Sequence, residues 1–446
     1  MTRRFIVAVV KLALRLYFRH IEIAGVEHVP ARNPVIFVLN HPNALVDPVF
    51  LLCLAPRRVS FLAKAPLFRM PVLGWLVRAL DSLPVYRQQD EGADVSKNTE
   101  TFEAARKLLA RGGTIGICPE GVSHNEPRLR PIKTGAARIA LGAISTGEVS
   151  DLKIVPAGLY YTAKTTFRSE ALLYFGEPLD VTPVQLDPNG NPPRQAVREL
   201  SERIEAALRS VILEAEHEEA LHTINRAERI FSSAVETRTE SLAAELQLLK
   251  RFEKAYGVLR EQAPERLNRL EVRLIRFEER LKQAGVTADE LSAPGTRVEV
   301  FLHLLTRSVA FSLLAIPALL GTLLHYPAYR LGGYLATRFS RDSDDVISTV
   351  KIISAMLLFP MTWALLAALG FALMGWLGLL VALVVVPGLG YLAIRFFEEI
   401  DKFLGGLRAL SFFLMKRHFY VRLLAERKAI RDEILGLDDE ISLAAR

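Results

Sequence analysis

The sequence predicts an α/β fold, a mostly parallel sheet flanked by helices, followed by a charged helical hairpin and C-terminal membrane helices. Three observations carry that expectation. Short β-branched runs alternate with helix-like segments through residues 21–180, strand formers nearly vanish from 196 to 296, and residues 352–394 contain no Asp, Glu, Lys or Arg. Strands alternating with helices are the mark of a parallel sheet with crossover helices. An uncharged run of that length exceeds twice the roughly 20 residues needed for one membrane crossing.

At 446 residues the chain holds more than one structural unit. Half of it is hydrophobic, and its formal charge is +7. That balance suits an anionic membrane surface or nucleic acid, and the long uncharged runs favour the membrane. The two cysteines, Cys53 and Cys118, lie in apolar runs without CxxC spacing. This excludes a disulfide framework and suits a reducing compartment.

Residues 1–20 begin like a signal peptide, but Lys11 ends the apolar run early and no small-residue cleavage site follows. Lys11, Arg15 and Arg19 recur every four residues, which predicts an amphipathic helix lying in the membrane interface. A helix packed on the domain is the alternative. Residues 21–195 form the α/β domain. Ile21–Gly25, Val35–Leu39, Thr114–Cys118, Ile154–Leu159 and Ala171–Phe175 read as strands, and Pro48–Leu54, Thr99–Arg111 and Gly135–Ser145 as helices. Pro156 marks its strand as an edge or an end.

Residues 196–296 are rich in charge, with Leu242, Leu246 and Leu249 in one stepped series and Leu267, Leu270, Leu274, Phe277 and Leu281 in another. Pro264 between them suggests a helical hairpin with a coiled-coil-like seam. Residues 297–396 form a membrane region in which 352–394 is a hairpin of two helices, with Gly370, Gly375 and Gly378 near its middle. Both flanks of the hairpin are basic, with Arg330, Arg338, Arg341 and Lys351 before it and Arg395, Lys402, Arg408, Lys416 and Arg417 after it. Basic flanks belong on the cytoplasmic side, so the uncharged segment 308–329 is expected to be re-entrant or interfacial. Residues 397–446 read as an amphipathic helical tail.

The chemistry gathers in the α/β domain. Asn40-His41-Pro42-Asn43-Ala44-Leu45-Val46-Asp47-Pro48 joins a buried strand to a helix. A histidine there sits on a rigid scaffold yet faces outward, and a nearby carboxylate can hold its second ring nitrogen. Asp47 before Pro48 is also a good helix start. Downstream lie Lys64, then Ser82-Leu83-Pro84-Val85-Tyr86-Arg87, then Ile117-Cys118-Pro119-Glu120-Gly121-Val122-Ser123-His124, with Arg128, Arg130 and Lys133 following. Each has a bland alternative as a turn, a cap or a solvated charge. Together they supply a base, its orienter and cations suited to a phosphate. No serine or cysteine stands as an obvious nucleophile with its own base, and no metal-ligand set is evident.

The ordered set His41…Asp47, Ser82–Arg87, Pro119-Glu120-Gly121 and Val155-Pro156 resembles the four motif blocks of the glycerolipid acyltransferases, the glycerol-3-phosphate and lysophosphatidate acyltransferases. One residue more separates His41 from Asp47 than in the commonest family spacing. Asn43–Pro48, Pro119–His124, Ile154–Pro156, Phe167-Arg168-Ser169 and Phe175-Gly176-Glu177-Pro178 resemble the yeast-type glycerol-3-phosphate/dihydroxyacetone-phosphate acyltransferases, and a weaker likeness continues near Glu218–Phe231.

The resemblance implies that His41 deprotonates the acceptor hydroxyl and Asp47 orients His41. It also implies that Arg87 binds the acceptor phosphate, helped by Glu120, Gly121, Ser123 and Lys133. The oxygen then attacks the thioester directly, without an acyl-enzyme. The expected activity is transfer of a fatty acyl group from acyl-CoA or acyl carrier protein, as co-substrate, to the sn-1 hydroxyl of glycerol 3-phosphate. No cofactor is expected, and no nucleic acid. Membrane lipids surround the chain, with the catalytic domain on the cytoplasmic face and the 196–296 helices open to a partner. The alternatives are acylation of lysophosphatidate and, from another class, a non-catalytic membrane-anchored scaffold.

Overall fold

Val35–Leu39 is buried at every residue, which an alternating strand with one wet face cannot be. A computed structural model, which describes residues 2–87, 90, 94–234, 241–291, 297–340 and 344–444, shows why. Both faces of the sheet are covered. Ile36 and Val38 join one apolar cluster, and Val35, Phe37 and Leu39 join another.

The chain divides into two compact units. The first comprises residues 1–217, 241–246 and 336–352. In chain order it contains α1 (Thr2–Tyr17), β1 (His20–Ala24), β2 (Val35–Leu39), α2 (Val46–Leu54), β3 (Ser60–Lys64), α3 (Pro71–Ala79) and β4 (Leu83–Val85). Then follow α4 (Asn98–Ala110), β5 (Thr114–Ile117), α5 (Gly135–Ser145), β6 (Lys153–Tyr161), β7 (Glu170–Phe175), β8 (Leu179–Asp180) and α6 (Arg194–Val211). The strand order is β1-β7-β6-β2-β5-β3-β4, with β8 also on β6. Only β6 with β7 and β6 with β8 are antiparallel. The fold class is therefore the one expected.

Three expectations need correction in this unit. Pro156 is not on an edge strand, because β6 lies between β2 and β7, with Val38 opposite Pro156. Its carbonyl accepts the Gly176 N–H at 2.9 Å. The side of Pro156 that lacks a donor thus faces the break between β7 and β8, where no ladder bond is lost. The domain does not stop at 195. Val197, Leu200, Ile204, Leu208 and Val211 of α6 pack into the cluster that holds Ile36 and Val38. The charges of α6 occupy its wet face, so composition alone hides the buried stripe. Finally, α1 fits neither reading alone. Ile6, Leu14 and Tyr17 are buried in the domain, while Phe5 and Leu12 are well exposed.

The second unit comprises residues 218–240, 247–335 and 353–446. It is drawn from α7 (Glu218–Ser233), α8 (Leu242–Gln262), α9 (Pro264–Ala284), α10 (Arg297–Phe339), α11 (Asp344–Met415) and α12 (Arg417–Ala444). The 196–296 hairpin is corrected here. Leu242 and Leu246 pack against Leu172 of β7, and Glu22 of β1 accepts from Ser241 and from the Leu242 and Ala243 N–H groups at the head of α8. A carboxylate there meets unsatisfied donors and the positive end of the helix dipole. The series Leu267, Leu270, Leu274, Phe277 and Leu281 instead packs with Tyr420, Leu423, Ile430, Ile434 and Leu437 of α12. Arg280 and Glu426 pair across that contact at 2.7 Å. The spacing of a seam gives a face, and its partner comes from the tertiary fold.

Two helices, α10 and α11, are long and apolar enough to cross a membrane. Their apolar side chains are largely exposed, as lipid-facing chains are and core chains are not. α11 reverses at Gly375, whose φ of 63° and ψ of −147° only glycine adopts readily. A Cβ on Gly370 would lie 2.6 Å from the Gly378 carbonyl oxygen, so the two arms touch backbone to backbone beside the reversal. Residues 308–329 run within the unbroken α10, which carries Pro317 and Pro327. Phe311 meets Phe396 and Phe403, Gly332 lies against Ser354, and between them His325 accepts from Trp363 Nε1 at 2.8 Å. Phe396 and Ser354 are equally far in sequence from Gly375.

Candidate active site

The site forms where β2 and β5, parallel neighbours, release their loops. Such strand ends are where ligands collect in parallel sheets. Asn40 leaves β2 and bonds both backbone groups of Leu159 on β6, at 3.1 and 2.8 Å. This clamp fixes the start of the loop that carries His41.

His41 Nδ1 lies 2.9 Å from Asp47 Oδ2. Asp47 is fully buried, and its carboxylate also accepts the Asn43 N–H at 2.6 Å and the Tyr161 hydroxyl at 2.7 Å. Three donors hold the acid, and the acid holds one ring nitrogen of His41. Burial opposes a charge on His41, but the Cys118 sulfur and the Asp47 carboxylate outweigh it and hold His41 well above the ordinary imidazole value. Burial pushes the Cys118 thiol up. Burial and Asp47 raise the Tyr161 phenol well above its usual value, so it remains a donor.

The second loop carries Glu120, which is 3% exposed. Its Oε1 accepts the His41 N–H at 2.9 Å, while Oε2 accepts the Arg130 N–H at 2.9 Å and meets His124 Nε2. The His124 N–H in turn donates to the His41 carbonyl at 3.2 Å. Glu120 thereby ties three segments together. Gly121 has φ +76°, and a Cβ there would meet Lys133 Nζ at 2.7 Å. The lysine therefore lies directly over the turn, in space only glycine leaves open.

Arg87 reaches this turn from β4. It donates to the Gly121 carbonyl at 2.5 Å and makes a two-pronged pair with Asp90, Nε to Oδ2 at 3.0 Å. That guanidinium holds Asp90 below the usual carboxylate range, with Lys64 contributing. Ser123 donates its hydroxyl to Asp345, at the head of α11. The Arg130 side chain pairs with exposed Glu126 at 2.6 Å, the solvated-charge reading, and only its backbone serves the site.

Two sequence profiles match this chain: Acyltransferase over residues 20–160, and the glycerol-3-phosphate acyltransferase 2 C-terminal domain over residues 223–442. Residues 20–160 thus match the acyltransferase family.

The chain is 29% identical to glycerol-3-phosphate O-acyltransferase 2 of Saccharomyces cerevisiae, over 61% of its own length and 38% of that protein. It is 25% identical to glycerol-3-phosphate O-acyltransferase 1 of the same yeast, over 80% of this chain and 58% of that one. A chloroplast 1-acyl-sn-glycerol-3-phosphate acyltransferase of Brassica napus is 28% identical over 36% of this chain and 43% of that protein. The chain thus spans less than two thirds of the length of these relatives.

All seven residues singled out from the sequence, His41, Asp47, Arg87, Glu120, Gly121, Ser123 and Lys133, fall on this hydrogen-bonded cluster or directly against it. Sequence reasoning missed Tyr161, Asn40, Asp90 and Asp345. Tyr161 lies two residues beyond the strand as predicted, on the strand paired with β2, so extending that strand would have found it. Asp345 lies far along the chain and offers no local signal.

Proposed function

We propose that the chain transfers a fatty acyl group from an acyl thioester to the sn-1 hydroxyl of glycerol 3-phosphate in phospholipid synthesis. The observation that carries this reading is His41 Nδ1 held at 2.9 Å by the buried Asp47 carboxylate, one hydrogen bond from the Glu120–Gly121 turn on which Arg87 rests. His41 Nε2 takes the proton of the acceptor hydroxyl, and the oxygen attacks the thioester carbonyl carbon. As the C–S bond breaks, the thiolate leaves and takes the proton back from His41. Arg87 and Lys133 face the acceptor phosphate, which takes over from Asp90 as the guanidinium's two-pronged partner. Acyl-CoA or acyl carrier protein supplies the thioester.

The match to the two yeast glycerol-3-phosphate O-acyltransferases, and to a profile named for one of them, supports the first acylation. Similarity to lysophosphatidate enzymes supports the second acylation over a smaller part of the chain. The full chain in liposomes, given one acyl-CoA and each acceptor in turn, should acylate glycerol 3-phosphate. Activity on lysophosphatidate alone would overturn this assignment.

The reading places the acyltransferase domain on the cytoplasmic face. Basic residues flank the hairpin on both sides. The contacts of Phe311 with Phe396 and of Gly332 with Ser354, two residues equally far along the chain from Gly375, fit a segment 308–329 that returns to the face it left. Tags at residues 300 and 345 should react from the same side of the membrane. An acyl chain and a lipid product both partition into the adjoining bilayer, at roughly 0.8 kcal/mol per buried methylene.

A further inference from the structure

We infer that Asp345 is a positioning residue of the acceptor site, fixing the Ser123 hydroxyl next to the Glu120–Gly121 turn. The inference rests on the reading of that turn as part of the acceptor pocket. Residues 336–352 belong to the same compact unit as the sheet, and their seat on it is polar and buried. Ser123 Oγ donates to Asp345 Oδ2, and Asp345 is 4% exposed. The Tyr17 hydroxyl donates to Ser348 Oγ at 3.0 Å, Ser348 donates to the Lys164 carbonyl, and Lys351 Nζ donates to the Thr165 carbonyl at 2.7 Å. Ser348 is fully buried.

The loop that receives these bonds is itself tied to both motif loops. Lys164 Nζ donates to Asn125 Oδ1 at 2.6 Å, just past Ser123 and His124, and to the Pro42 carbonyl at 3.4 Å, next to His41. The seat is therefore continuous with the site. Asp345 lies outside the stretch matched to the acyltransferase profile and inside the stretch matched to the C-terminal profile. The C-terminal part of the chain thus supplies a side chain on which the acyltransferase site depends.

A serine whose proton is committed to a carboxylate offers only lone pairs elsewhere. Ser123 then does not donate to a phosphate oxygen. Its contribution is to hold the segment Gly121–Ser123 in place, with the Gly121 carbonyl that Arg87 uses and the turn over which Lys133 lies. Hydrogen bonds to a charged acceptor are strong enough that losing this one should loosen acceptor binding about tenfold.

The test uses the full chain in liposomes with glycerol 3-phosphate and a fixed acyl-CoA. Asp345→Ala and Ser123→Ala should each raise the acceptor KM about tenfold, with kcat and the donor KM within about twofold of wild type. Asp345→Asn, which keeps an acceptor oxygen, should recover most of the loss. In the double variant the two effects should not add. Amide hydrogen exchange at Gly121–His124, which needs no substrate, should speed up in Asp345→Ala. Additive effects, or acceptor and donor KM rising together with kcat falling, would overturn the inference. So would unchanged exchange at Gly121–His124. A wild type inactive on glycerol 3-phosphate would instead sink the proposed function, and the exchange measurement would still decide whether Asp345 holds the turn.

Discussion

Two histidine–carboxylate pairs lie within one hydrogen bond of each other, and their difference separates chemistry from architecture. Asp47 holds His41 by Nδ1, and in the proposed reaction the other ring nitrogen takes the proton of the acceptor hydroxyl. Glu120 holds His124 by Nε2, and Nδ1 is buried without a hydrogen-bond partner among the described residues. The carboxylates differ as well. Asp47 serves the ring and its own loop, whereas Glu120 spends its oxygens on the backbone N–H groups of His41 and Arg130. An imidazole paired with an acid is thus not a catalytic device by itself. What the second ring nitrogen faces decides the role.

The sharpest way to break that contrast is to remove each ring. His41→Ala should lower kcat/KM on the order of a thousandfold, as loss of a general base does. An equal loss from His124→Ala would end the distinction.

Asp47→Asn should come next, costing on the order of a hundredfold in kcat at neutral pH. It also carries a pH signature. In the wild type His41 sits well above 6.5, so kcat/KM should rise with pH through a value above 6.5, where the ring becomes neutral and able to accept a proton. Without the carboxylate, burial of the ring is opposed only by Cys118, and the acid limb should move to lower pH. A limb that stays in place would assign the titration to another group. The same raised value means that His41 stabilises the fold fully below its unfolded pKa, and that this contribution is lost as pH climbs through the folded value.

Glu120→Gln should act on stability more than on chemistry. Replacing a buried charged acceptor of two N–H groups should cost about 2 kcal/mol, read from denaturant unfolding. A loss confined to kcat would move Glu120 into the catalytic group. The smallest effect is expected from His124→Ala, which should keep kcat/KM within a few-fold and cost about 1 kcal/mol.

Much of this was legible in the sequence. The His41 loop, the Glu120 turn and Arg87 are local signals at strand ends, and the sheet's alternation is set by runs such as Val35–Leu39. Short elements escaped, among them β3 and α3, because Ser60–Lys64 and Pro71–Ala79 are too brief and mixed for periodicity to register. Long-range partners escaped for a different reason. Nothing in the spacing of Leu242 and Leu246 says they pack on Leu172 rather than on the Leu267 series. Nor does anything around Asp345 announce Ser123. Patterns along a chain define faces and turns, and the three-dimensional fold chooses what each face meets.

The backbone contact between Gly370 and Gly378 has a consequence for which membranes suit this protein. From Ile353 to Met374 the first arm is about 33 Å long at the helical rise, close to a hydrocarbon core of about 30 Å. Because the arms are pressed together at their tips, neither can lean alone to match a thicker or thinner bilayer. Changes in thickness must be absorbed by both arms tilting together or by the lipid itself, at a fraction of a kcal/mol per Å of mismatch. The paired glycines thus couple the tilt of one arm to that of the other.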